Sequence, residues 1–162
     1  MPDWTTHVIA GWITGKATKS DVSLIVVGSL LPDIFKIQLI FNAMQIDTHG
    51  FFDPLHTPCG TLLIALLLSL LFKMAGRAFI FLIMGASTHY FLDFFLMHAA
   101  GGMKLLFPFS WKGYQMHIIS SGNYWVTISA LIIGAIFYFI FLKRNGRGQT
   151  KPAKSDLRIP KK

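Results

Sequence analysis

Gly85-Ala86-Ser87-Thr88-His89-Tyr90-Phe91-Leu92-Asp93 lies inside the apolar run from Ala78 to Met97. At 3.6 residues per turn, His89 and Asp93 are one turn apart and leave the same helix face, with Gly85 one turn earlier on that stripe. An imidazole and a carboxylate in hydrocarbon are costly unless they pair, hydrogen-bond or bind a cation, so ionisable groups within membrane spans are functional candidates. The other polar residues of the chain are therefore read for what this pair meets.

The chain has 162 residues, 53% of them hydrophobic and only 14% charged, with a mean hydropathy of +0.54. These values place it with integral membrane proteins and indicate a single domain. The net charge of +8 does not signal a nucleic-acid binder, because eight of the fifteen Lys and Arg lie from Lys143 onward, after the last apolar run. No basic-aromatic interleaving accompanies that charge, which reads instead as a cytoplasmic tail obeying the positive-inside rule. All seven acidic residues are Asp, and Cys59 is the single cysteine. An intrachain disulfide and a multi-cysteine zinc site are thereby excluded, and a bound metal has His and Asp as its ligands. Met1-Pro2-Asp3-Trp4 lacks the basic start of a cleaved signal peptide.

Trp4 to Ala17 reads as a short helix, with His7, Gly11 and Gly15 at successive i, i+4 positions, the small-residue spacing that lets membrane helices approach closely. Val22 to about Met44 is a second apolar segment, bent at Leu30-Leu31-Pro32-Asp33, with Lys36 one turn beyond Asp33. Gln45 to Thr57 is a polar loop carrying Asp47, His49, Asp53 and His56, after which Thr57 caps and Pro58 opens a leucine-rich helix that runs to Lys73. The Gly85 to Asp93 helix follows, then an interfacial loop from Lys104 to Gly122, then an uncharged span from Tyr124 to Leu142. The resulting fold class is all-α: a polytopic helical membrane protein with four long transmembrane helices plus one short N-terminal helix. Residues 1–142 form the membrane domain and 143–162 a basic, disordered cytoplasmic tail. Counting back from that tail puts Lys16, Lys19, Lys73 and Arg77 in the cytoplasm and the N-terminus outside, with Lys104 and Lys112 running against the rule.

Counted from the nearest cytoplasmic charge at ~1.5 Å per residue, His7, Asp33, His56, His89 and Asp93 lie roughly 14 to 26 Å from the inner face. Three His and two Asp at compatible depth, without thiols, match the ligand set of zinc, manganese or iron. A catalytic zinc needs three protein ligands, so five candidates leave room for a second ion or for a residue kept as general base. A metal acidifies water towards hydroxide near neutral pH and polarises a phosphoryl or carbonyl oxygen, which is hydrolytic chemistry. Each residue also has a plainer role: Asp33 pairing with Lys36, His89 with Asp93 holding helices together, His7 among headgroups, His56 in a loop. His49, His98 and His117 read as interface residues rather than ligands.

In this order, Met1-Pro2-Asp3-Trp4 with Thr6-His7, Leu30-Leu31-Pro32-Asp33, His56-Thr57 opening a leucine-rich span, the His89 to Asp93 block, and Gly101-Gly102 followed by Pro108-Phe109-Ser110 resemble the YdjM-like family of predicted membrane-bound metal-dependent hydrolases. The likeness covers residues 1 to about 120 and implies a multi-pass protein of the cell inner membrane. A more distant likeness runs to zinc-dependent phospholipase C, whose His-Tyr, Asp and Met-His-Ala-Ala block is similar to His89-Tyr90, Asp93 and Met97-His98-Ala99-Ala100. It implies that Asp33, His56, His89 and Asp93 hold one metal, with His98 offered to a second ion or placed behind the first. The interval from Asp93 to His98 is one residue shorter than in that pattern, and the Glu of its second site has no counterpart, so one site is better supported than two.

The function expected from the sequence is hydrolysis of a lipid ester or phosphoester at a zinc-like ion held by Asp33, His56, His89 and Asp93 with help from His7. Lys36 and Ser110 are the candidates for holding substrate phosphate. The alternative is a non-catalytic membrane protein whose metal- or proton-responsive site serves transport or signalling.

Overall fold

A computed structural model describes residues 4–46, 48, 51–97, 102–116, 118–120 and 123–148. Six α-helices follow in order: α1 (Trp4–Thr18), α2 (Val22–Leu30), α3 (Gln38–Ala43), α4 (Pro58–Ser69), α5 (Ala75–Phe94) and α6 (Tyr124–Gly148). Between α2 and α3 the chain tightens into a 3₁₀ helix, Leu31–Ile37, and a 3₁₀ turn, Asp53–His56, precedes α4. Among the described residues the only paired strands are β1 (Leu96–Met97) and β2 (Ile119–Ser120), two residues each and parallel. The fold is helical.

The local chemistry accounts for the breaks. Asp21 starts α2 by accepting from the Leu24 N–H, and Thr57 starts α4 by accepting from the Gly60 N–H, with Pro58 in the first turn. Pro32 lacks an N–H, and the α-helical pattern gives way to 3₁₀ at Leu31.

α2 is the central element, packing most extensively on α5 and α1, while α6 lies against α1 and α4 against α5. Contact between α2 and α5 is backbone to backbone. A side chain at Gly28 would collide with the Leu82 backbone, and one at Gly85 with the backbone of Ile25 and Ser29. The buried faces follow helical stripes of small and polar residues: His7, Gly11 and Gly15 on α1, Thr61, Ala65 and Ser69 on α4, and Ala78, Leu82, Gly85, Ala86, His89 and Asp93 on α5. Large apolar residues point outward, including Leu62, Leu63, Leu66 and Leu67 of α4 and Leu131, Ile132 and Phe139 of α6. A water-soluble domain has the opposite distribution.

The expectation of four long spans is corrected. Among the described residues one helix, over Tyr124–Arg144, is long and apolar enough by itself to cross a bilayer. The apolar stretches Val22–Ile34 and Pro58–Ser69 are shorter, because the backbone changes at Leu31 in one and the helix stops at Ser69, short of Lys73, in the other. α5 has 20 residues, but the polar groups on its buried stripe dilute its apolar character. Of the expected tail, 143–148 continue α6, and 149–162 lie outside the described residues.

Gly85→Ala should destabilise the protein by about 1–3 kcal/mol through overpacking. Gly76→Ala, where an added methyl meets nothing within 4 Å, should leave stability unchanged or slightly raised. Thermal unfolding in detergent compares the two, and equal melting temperatures would contradict the close α2–α5 contact.

Candidate metal centre

Five titratable residues from four segments converge below α1. His7 stands in the second turn of α1, Asp33 follows Pro32 in the 3₁₀ helix, His56 ends the turn before α4, and His89 and Asp93 share one face of α5. His7, Asp33, His89 and Asp93 are each at most 3% exposed. The Gly28–Gly85 approach sets the geometry, since His89 is one turn beyond Gly85 and Ser29 is next to Gly28.

Two of the imidazoles are held by backbone. The His89 Nδ1–H donates to the Ser29 carbonyl at 2.9 Å, and the His56 Nδ1–H to the Pro32 carbonyl at 2.8 Å. Pro32 contributes twice: it offers its own carbonyl to His56, and its missing N–H removes the 3₁₀ donor that would otherwise compete for the Ser29 carbonyl. Fixing Nδ1 as the donor leaves Nε2 with its lone pair directed inward, the arrangement usual for metal-ligating histidines.

The inward-facing atoms are crowded acceptors. His89 Nε2 is 3.2 Å from Asp93 Oδ2 and 3.9 Å from Asp33 Oδ1. His7 Nε2 is 3.5 Å from Asp93 Oδ1 and His56 Nε2 is 3.6 Å from Asp93 Oδ2. The His7 and His89 rings stack with centroids 3.8 Å apart. Yet among the described residues His89 Nε2 and both ring nitrogens of His7 are buried with no hydrogen-bond partner. Lone pair facing carboxylate at 3.2 Å is repulsive unless a cation or a proton lies between, and a buried polar group left unsatisfied costs about 1–3 kcal/mol.

Two groups of three have ligand atoms all within 4.8 Å of one another: His7, Asp33 and His89, and His56, His89 and Asp93. They share His89 and are geometrically able to hold a metal ion. With nitrogen and oxygen donors only, the set suits several divalent metals and selects none. Burial pushes the His56 imidazole below its ordinary pKa, and the Pro32 carbonyl works in the opposite direction. A neutral ring is the form that binds metal.

The remaining candidates fare differently. The Lys36 ammonium pairs with Asp33 Oδ2. Ser110 sits in the 102–116 segment, where its Oγ accepts the Lys112 N–H, and no contact ties it to the five residues among those described. His98, His49 and His117 lie outside the described residues. Sequence reasoning missed the Ser29 and Pro32 carbonyls, which carry no side-chain signal, and the Tyr90 hydroxyl bonded to Thr61 Oγ1 at 2.6 Å, which braces α5 against α4 beside His89. Tyr90 adjoins His89, and Thr61 is one turn beyond the Thr57 cap; those spacings are the only signal.

A family model described as YdjM inner membrane protein matches residues 3–153, and the chain belongs to that family. Neither the curated proteins nor the solved structures give a match, so the more distant likeness to phospholipase C has no support.

Purified protein should carry stoichiometric divalent metal, read by elemental analysis, and His89→Ala and Asp93→Ala should each lose it. Pro32→Ala, which restores a competing N–H, should retain the site but weaken affinity about 10–100-fold. Full metal content in both single variants would contradict a shared centre.

Proposed function

We propose that this protein, a member of the YdjM inner membrane protein family, is a membrane-embedded metal-dependent hydrolase acting on an ester or phosphoester of a lipid. One observation carries the reading: buried imidazoles and carboxylates form two groups of three that share His89, and among the described residues His89 Nε2 and both His7 nitrogens have no hydrogen-bond partner. Asp33, His56, His89 and Asp93 hold the ion, with help from His7. Zinc is the first choice for this donor set, with manganese or iron as alternatives. When bound, such an ion supplies Lewis acidity towards water and towards a phosphoryl or carbonyl oxygen.

The protein's own residues supply the rest. Three protein ligands suffice for a catalytic zinc, so donors beyond three are available to hold a proton. Asp93 gathers the rings around it, with His7, His56 and His89 all within 3.6 Å of its carboxylate. The Ser29 and Pro32 carbonyls keep two rings oriented, and apolar packing around Leu31, Ala65 and Leu82 keeps bulk water from the α2 side.

Multi-pass insertion is supported by the outward leucines of α4 and the small, polar interior stripes of α1, α4 and α5, the distribution expected when lipid is the solvent. The basic residues also gather. Lys16, Lys19 and Arg144 line one cleft, and Lys73 and Arg77 line another, with the α2 cap Asp21. That end is cytoplasmic by the positive-inside rule, which leaves the N-terminus and the metal centre towards the outer face.

Protein reconstituted into vesicles should hydrolyse lipid esters or phosphoesters, lose turnover on chelation and regain it when metal is restored. Asp93→Asn should lower the rate at least about 100-fold. Stoichiometric metal with no turnover of any lipid ester or phosphoester would overturn the hydrolase reading.

A further inference from the structure

The 3₁₀ helix does more than present Asp33. In 3₁₀ geometry residues three apart eclipse each other, so Ile34 and Ile37 stand in one row, continued by Ile40 at the start of α3, while Asp33 and Lys36 form a second row beside it. The isoleucine row is 41%, 43% and 60% exposed at Ile34, Ile37 and Ile40. With Trp4 of α1 it walls a groove of about 750 Å³ whose only charged lining residues, among those described, are Asp33 and Lys36. That volume and that lining, largely apolar with a few polar groups at one place, are those of a small-molecule site. Asp33 belongs to both the groove and the metal cluster, so whatever lies in the groove reaches the cluster.

We propose that this groove binds one hydrocarbon chain of a phosphorylated membrane lipid, with the phosphate on Lys36 at the edge of the metal centre. The proposal rests on the hydrolase reading for its consequence and on the groove for its chemistry. Charge selects the occupant. Among the described residues Lys36 is the one cation lining the groove. The ammonium has three donors and Asp33 Oδ2 accepts one. Its Nζ also lies 5.9 Å from the centre of the Trp4 ring, a cation–π contact that steadies the head of the side chain at the groove. Trp4, the first residue of α1, is half-exposed, as suits an aromatic side chain at the boundary between headgroups and hydrocarbon. A phosphate at Lys36 would place its ester bond beside Asp33 while the chain follows Ile34, Ile37 and Ile40.

The test uses a brominated long-chain alkylphosphonate, whose carbon–phosphorus bond resists hydrolysis, with the full-length protein in detergent. Bromine quenches nearby tryptophan. Quenching should appear in the wild type, disappear in Trp4→Phe, and require at least tenfold more probe in Lys36→Gln and in Ile37→Asn. Lys36→Arg should restore most of the affinity, which separates loss of charge from misfolding. Inorganic phosphate should compete poorly, and a brominated alcohol of the same chain length should bind at least tenfold more weakly. Equal competition by inorganic phosphate would show an anion site without a chain groove. Equal binding of the alcohol would show an apolar groove without phosphate recognition. Either result overturns the proposal, as does quenching that persists in Trp4→Phe. Because the probe is not turned over, its binding is independent of hydrolysis: a bound phosphonate with no lipid turnover sinks the hydrolase reading alone, whereas turnover without phosphonate binding sinks the groove alone.

Discussion

Two carboxylates and three imidazoles share a buried space in which their acceptor atoms face one another, and every other feature of the fold is arranged around that conflict. His89 Nε2 stands 3.2 Å from Asp93 Oδ2 while its Nδ1–H is committed to the Ser29 carbonyl. Such a cluster is unstable in an apolar interior unless positive charge occupies its centre. The Lys36 ammonium offsets Asp33 from one side. A divalent cation among the imidazole lone pairs would supply the rest.

The scaffold that brings these atoms together depends on backbone as much as on side chains. Gly28 and Gly85 let α2 and α5 touch, which puts His89 within reach of a main-chain carbonyl. Pro32 turns the chain from α to 3₁₀ geometry at the level of the cluster, points Asp33 inward and offers its own carbonyl to His56. The same change of geometry aligns Ile34 with Ile37 on the outside. One local backbone decision therefore shapes both the candidate metal centre and the groove beside it.

Much of the site was legible in the sequence because it is written in helical spacing. His89 and Asp93 at i, i+4, His7 ahead of Gly11 and Gly15, and Asp33 directly after a proline in an apolar run are one-dimensional signals, and all five residues meet. The architecture was less legible. Counting apolar residues overstated the long spans, because hydropathy adds across Pro32 and past Ser69, whereas the backbone changes from α to 3₁₀ geometry at the first point and leaves the helix at the second. Lys36 was read both as the partner of Asp33 and as a phosphate ligand. The pairing is seen, and it does not use up the ammonium. Ser110 was singled out by family likeness alone, and its hydroxyl serves a local turn. The carbonyls of Ser29 and Pro32 could not have been found, since every residue has one and only tertiary packing decides which are used.

Family membership, the outward leucines of α4 and the length of α6 all point to a bilayer setting, and the cluster within it is geometrically able to hold a metal ion. X-ray absorption at the edge of the metal in the as-isolated protein tests this most directly. The account predicts a shell of only nitrogen and oxygen at about 2.0–2.2 Å, with the outer scattering of two or three imidazoles. A sulfur scatterer near 2.3 Å, or an ion surrounded by water without imidazole, would contradict it.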